Sequence, residues 1–217
     1  MKGIVFITGF CFCLQLSGQT DSVQKHTASL LHLNSKVMLR GYIYAGTNIV
    51  DTNAPGGFAS SNNLPKKKDQ LNLQFPIPAG QRLWIDTTTT FPFFEKFKGY
   101  KLYLVNSSGV IESYPASDGR LPVIAEVFID HSWKPVEYLP SSWCGNSYHQ
   151  VFLSPGEYWQ FIIPAYSGKK KVKLRYKLIG AQNIEVYSNE ISASVNMSQL
   201  SRKQGHQPDG LMDPYVD

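Results

Sequence analysis

The sequence is poor in cysteine: three in 217 residues, and two of them, Cys11 and Cys13, lie in an apolar N-terminal run. Once that run is removed, Cys144 stands alone, which excludes an internal disulfide and leaves the fold to be held by its core. A lone thiol of this kind is expected to be buried and inert, because free cysteine is among the most buried residue types. Also missing beyond residue 18 is any apolar stretch long enough to cross a bilayer as a helix, which needs about 20 residues. No 3.6-residue period runs longer than about 10 residues, which argues against a helical bundle. The charged share of 17% against 42% hydrophobic is that of a folded domain and excludes a disordered one.

What is present favours strands joined by turns. Aromatic residues make up 13% of the chain, with 13 Pro and 17 Gly, and helices use none of these well. At the N-terminus, Lys2 precedes the apolar run Ile4 to Leu16, and Ser17 and Gly18 offer small residues for cleavage. The pattern predicts a signal peptide over 1–18 and export to the periplasm, the outer surface or the medium. A lipoprotein signal does not fit, because Phe10 and Phe12 stand before the two early cysteines where a small residue is required. The net charge of +5 is mild, comes largely from two local clusters, and does not imply nucleic-acid binding.

Residues 19–35 read as a polar lead-in, followed by a strand from Lys36 to Tyr44. Residues 45–69, dense in Gly, Asn, Ser and Pro and closing with Lys66 to Lys68, read as a long surface loop. Period-2 alternation then recurs in Leu71, Leu73 and Phe75, and in Gln81 to Thr88, with Leu83 and Ile85 on one face and Trp84 on the other. A hairpin is expected from Tyr100–Leu104 through Asn106-Ser107-Ser108-Gly109 to Val110–Tyr114. Further strands are predicted at Val123–Ile129, Tyr148–Leu153, Glu157–Pro164, Lys169–Leu178 and Ile184–Val195, with a loose tail from Ser198. The fold class that follows is all-β: an antiparallel β-sandwich of nine or ten strands over 36–197, with a subdivision near 115–121 or a closed barrel as the alternatives.

The sharpest pattern lies between Lys169 and Leu178. Val172, Leu174, Tyr176 and Leu178 fall on one face of a strand, and Lys171, Lys173, Arg175 and Lys177 on the other. The functional reading is a basic stripe for an anionic partner, which Lys66 to Lys68 would reinforce if their loop folded over it. The plainer reading is a solvent-facing row that discourages edge-to-edge sheet pairing. Trp133 and Trp143, beside Pro, Ser and Gly, are the tryptophans expected at the surface, where flat rings stack on sugars; Trp159 is expected in the core.

Cys144 and His149 invite a Cys–His nucleophile pair, which needs a thiolate made by a nearby base. Such partners are normally joined by the fold rather than by proximity in sequence, and no family signature is present. None of the five histidines sits at a ligand spacing, so no metal site and no cofactor is called. Asp130-His131 is a conceivable half-site, and Asp51 or Asp86 could serve calcium only outside any EF-hand pattern.

Ser142 to His149, Pro155 to Trp159, Lys173 to Tyr176 and Tyr187 to Ile191 carry a resemblance over roughly residues 121–197. The chain resembles uncharacterised exported β-sandwich proteins of bacteria, and its closing strand is similar to the last strand of immunoglobulin-like or fibronectin type III-like modules. The resemblance implies the fold and a bacterial surface setting; it transfers no activity and no site residues. The expectation is a non-enzymatic protein that binds or braces a protein or an anionic or glycan component of the cell envelope, with no nucleic acid and no transmembrane segment in the mature chain. A secreted hydrolase and a carbohydrate-binding module are the alternatives.

Overall fold

Strands dominate residues 29–70, 82–140, 145–180 and 184–201, which the structure, a computed structural model, describes. In chain order they are Leu39–Arg40 (β1), Lys66–Lys67 (β2), Leu83–Phe93 (β3), Phe97–Val105 (β4), Glu112–Ser117 (β5) and Val123–Ile129 (β6). There follow Ser132–Pro135 (β7), Glu137–Tyr138 (β8), Tyr148–Leu153 (β9), Glu157–Pro164 (β10), Lys170–Ile179 (β11), Glu185–Tyr187 (β12) and Ile191–Val195 (β13). The only helical pieces among the described residues are short 3-10 turns, so the protein is all-β.

Strands β2-β10-β4-β3 form a four-stranded antiparallel sheet. A five-stranded one is built on β11, which pairs β6 on one side and both β12 and β13 on the other, with β7 outside β6. Two small sheets complete the set: β5 with β9, antiparallel, and β1 with β8, parallel over two residues. The period-2 patterns place their apolar faces as the pleat requires. Leu83, Ile85, Leu102, Leu104, Trp159 and Ile163 of the first sheet join Val123, Ala125, Val127, Leu174, Tyr176 and Leu178 of the second in one core cluster. Trp159 is fully buried, its indole donating to the Gly46 carbonyl at 2.9 Å.

Several local expectations are corrected. The strand expected over Lys36–Tyr44 shrinks to β1, because its partner β8 offers only two residues. The strand expected from Ile184 to Val195 is cut in two. The Ser188 hydroxyl accepts the Tyr176 N–H, and the Asn189 side chain leaves its sheet to bond both backbone groups of Ile85 on the edge strand β3 (2.6 and 3.1 Å). One amide thus covers part of an open strand edge of one sheet from a loop of the other. Residues 45–65 hold no strand, yet they are tied down: Asp51 accepts the Gln150 N–H and Asn63 donates to Tyr44 and Gln160. Leu71, Leu73 and Phe75 lie outside the described residues.

The hairpin expected between Tyr100–Leu104 and Val110–Tyr114 does not form, since β5 pairs β9 instead of β4. Asn106 is the reason. Its fully buried side chain donates to the carbonyls of Val110 and Leu153, both at 2.8 Å, and accepts from the Ser108 N–H and hydroxyl. This fastens the turn to the end of β9 and steers the chain onto that strand. Asn106→Ala takes the side-chain donor from the buried Leu153 carbonyl and the acceptor from the Ser108 turn, and should cost about 2–3 kcal/mol in denaturant unfolding, whereas Asn62→Ala in the exposed loop should cost less than about 0.5 kcal/mol.

Candidate functional site

The outer face of the five-stranded sheet carries the basic stripe, and the structure divides it. Tyr176 and its apolar neighbours turn inward, as the alternation requires. Arg175 donates twice to Glu126, at 3.2 and 3.1 Å, and its guanidinium lies between the rings of Trp133 (4.0 Å) and Tyr187 (3.8 Å). Lys177 meets the other oxygen of Glu126 at 2.8 Å and Glu185 at 3.3 Å. Cross-strand pairing explains the placement, for Arg175 stands opposite Glu126 and Lys177 opposite Tyr187, two residues from Glu185. The Glu126 carboxylate is 6% exposed and needs both cations. Half of the stripe is therefore internally neutralised.

The other half is not. Lys173 has one partner, Glu190 at 2.8 Å, with both side chains well exposed, so solvent screens the pair. Lys171 makes no ion pair among the described residues. Opposite these lysines stand Ser194, Ser192 and the exposed ring of Phe128. Here a groove of about 830 Å³ opens at the seam between the two large sheets. Lys171, Lys173 and Phe128 line it from the outer face, and Tyr100, Tyr166 and His32 from the four-stranded side and the lead-in. Gly168 helps to shape it: a Cβ there would lie 2.1 Å from the Val195 carbonyl carbon, so only glycine brings the 166–169 turn against β13.

Trp133 was expected to present a free ring. Instead its ring packs on Arg175 and lies 5.4 Å from Phe128, half-buried, and Phe128 is the exposed aromatic of the pair. Lys66 and Lys67 pair with β10 in the opposite sheet, Lys67 bonding Glu157 at 3.1 Å, so they do not reinforce the stripe. Trp143 and Cys144 lie outside the described residues. His149 is buried, its ring stacked on Phe58 at 3.8 Å, and its Nδ1 faces the Ser147 carbonyl at 3.1 Å and so carries the proton. Asp130 and His131, both with positive φ, form the two-residue corner between β6 and β7, with Asp130 taken by Lys134. Both Asp51 oxygens accept backbone N–H groups, and no cluster of three or more metal-ligating side chains occurs among the described residues.

A second cluster had no signal in the sequence. Glu137 of β8 is buried, and no cation pairs with it among the described residues. Its Oε1 accepts from the hydroxyls of Tyr42 (3.0 Å), Tyr166 (2.5 Å) and Tyr176 (3.2 Å), and its Oε2 from the Ala125 N–H (3.0 Å). Burial, the largest effect, lifts this carboxyl to about 7, against the hydrogen bonds, which favour the ionised form. The three phenols are raised well above their ordinary range, first by burial and then by Glu137. Tyr166 is also a wall of the groove, so the buried carboxyl and the open site share one side chain.

No family model matches the chain, and no curated protein and no solved structure matches it. No helix among the described residues is long and apolar enough to cross a membrane.

Two outcomes follow from this geometry. Arg175→Ala strands the buried Glu126 carboxylate with one cation and should destabilise by about 2–4 kcal/mol, while Lys171→Ala should change stability by less than about 0.5 kcal/mol. For Glu137, the folded chain keeps a proton between pH 4.5 and about 7 that the unfolded chain has released. The stabilising contribution is full below that window, declines as pH rises through it by about 3 kcal/mol, and is flat above. Denaturant midpoints should show this decline in the wild-type chain and lose it in Glu137→Gln.

Proposed function

We propose that the chain is an exported, non-enzymatic binding protein of a bacterial envelope or secreted fraction, and that its partner is an anionic polymer held at the Lys171 and Lys173 end of the basic strand. Export rests on the leader pattern of residues 1–18. One observation carries the choice of surface: of the four cations in the stripe, the two beside the groove are exposed, Lys171 with no ion pair among the described residues and Lys173 with the exposed Glu190 alone, while the other two are consumed by Glu126 and Glu185. A cation held by a buried carboxylate cannot engage a second anion without leaving the first uncompensated, at a cost of several kcal/mol. Lys171 and Lys173 carry no such obligation. The neighbouring Phe128 ring and the Ser192 and Ser194 hydroxyls add the flat apolar surface and hydrogen-bonding groups that a glycan chain requires.

Binding of polygalacturonate by titration calorimetry tests this reading. Affinity should fall about tenfold or more when both Lys171 and Lys173 become alanine, and should drop steeply between 50 and about 300 mM salt, since exposed charge contacts are screened. A neutral galactan should not bind. Binding that ignores salt, or that survives the double substitution, would sink the assignment.

A further inference from the structure

The seam groove and the buried Glu137 carboxyl meet in one residue, and the chemistry of each bears on the other. Among the described residues the groove offers one ammonium without an ion pair, Lys171, near the hydroxyls of Ser167, Ser192 and Ser194, against the rings of Tyr100 and Tyr166. A lysine ammonium is a compact point charge, so with hydroxyls and aromatic faces it suits a carboxylated sugar, whose unit charge is shared by two oxygens, better than a sulfate ester, which spreads it over three, or a phosphate, whose charge exceeds what one ammonium neutralises. The nearby arginine, Arg175, has its fork committed to Glu126. The ligand class that fits is therefore a polyol bearing one carboxylate.

Behind the groove wall, the Tyr166 hydroxyl ends on Glu137 at 2.5 Å. Among the described residues, three phenols and one amide hydrogen-bond Glu137: Tyr42 from the segment after β1, Tyr166 from the turn after β10, Tyr176 from β11, and the Ala125 N–H from β6. Among the described residues no cation pairs with Glu137; Arg40, on the strand β1 that pairs β8, stands opposite Tyr138. The charged or titratable groups on the groove are His32, Tyr100, Tyr166, Lys171 and Lys173, with Glu190 on Lys173. An anion entering the groove thus stands about one tyrosine length from a buried carboxyl, through low-dielectric protein, and their mutual repulsion is weakly screened.

We propose that the groove is a subsite for a sugar carboxylate whose binding is coupled to protonation of Glu137 through Tyr166, so that the ligand is held more tightly on the acid side of neutrality. The step is a proton taken from solvent by the Glu137 carboxylate as the anion binds, with no other bond made or broken. Linkage makes the effect reciprocal: whatever favours the neutral carboxyl favours the ligand, and by the same factor. The inference rests on the assignment of the anionic partner to this face, and it adds the ligand class and its regulation.

Trigalacturonate, titrated at pH 6, 7 and 8 in buffers of differing ionisation enthalpy, reads both affinity and proton uptake. The wild-type chain should bind about five- to tenfold more tightly at pH 6 than at pH 8 and take up a fraction of a proton near pH 7. A sulfated galactose trimer should bind more weakly, and the neutral trimer not at all. The His32→Gln chain, which removes the imidazole that lines the groove, should keep the uptake; a pH-flat affinity in this variant overturns the coupling without any need for a Glu137 variant. Glu137→Gln should bind with no uptake, and uptake that persists there also overturns it. If Lys171-dependent, salt-sensitive binding remains but carries no proton, the coupling fails while the surface assignment stands; if no acidic probe binds at any pH, both fail. A sulfated probe that binds more tightly than the uronate overturns the ligand class.

Discussion

A carboxylate that no cation pairs with among the described residues lies at the junction of the fold. Glu137 belongs to a two-residue strand, yet its two oxygens collect hydrogen bonds from the segment after β1, from β6, from the turn after β10 and from β11. These elements come from both large sheets and from the small parallel pair, so one side chain specifies how they meet. Apolar packing between the sheets supplies most of the driving force, but it is non-directional and tolerates sliding. A buried carboxyl with three phenols and an amide is not tolerant, because any shift leaves a polar group unsatisfied at a cost of about 1–3 kcal/mol. Register and polar satisfaction are in this way the same requirement.

The outer face of the five-stranded sheet obeys the same economy of charge. Glu126 is nearly as inaccessible as Glu137, but it faces outward and is answered by Arg175 and Lys177, with Trp133 and Tyr187 clamping the guanidinium. The cations that serve the fold are thereby separated from those free to serve a ligand. What had the look of one uniform stripe is a structural half joined to an open half, and the boundary falls between Lys173 and Arg175.

Much of the scaffold was legible in the sequence because alternation is a local property. Val123–Ile129, Tyr148–Leu153 and Glu157–Pro164 have the boundaries the pattern predicts, and Leu83, Ile85 and Trp159 point where period-2 reasoning puts them. Two of the expectations that failed did so because a single polar side chain reaches far along the chain. Asn106 diverts a hairpin by bonding Leu153, and Asn189 breaks a strand by bonding Ile85, and neither contact has a signature in spacing. The same holds for the site. The basic alternation was visible, but its neutralisation required knowing that Glu126 lies opposite Arg175. Tyr42, Glu137, Tyr166 and Tyr176 are ordinary residues in sequence and become a cluster only when the sheets close.

Whether Glu137 truly sits in a dry, cation-free junction is decided by a carboxyl ¹³C titration of that residue in the folded protein. A midpoint near pH 7, well above the ordinary 4.5, agrees with burial among phenols. A midpoint at or below 4.5 would mean that water or a cation reaches the carboxylate, and the junction described here would not exist.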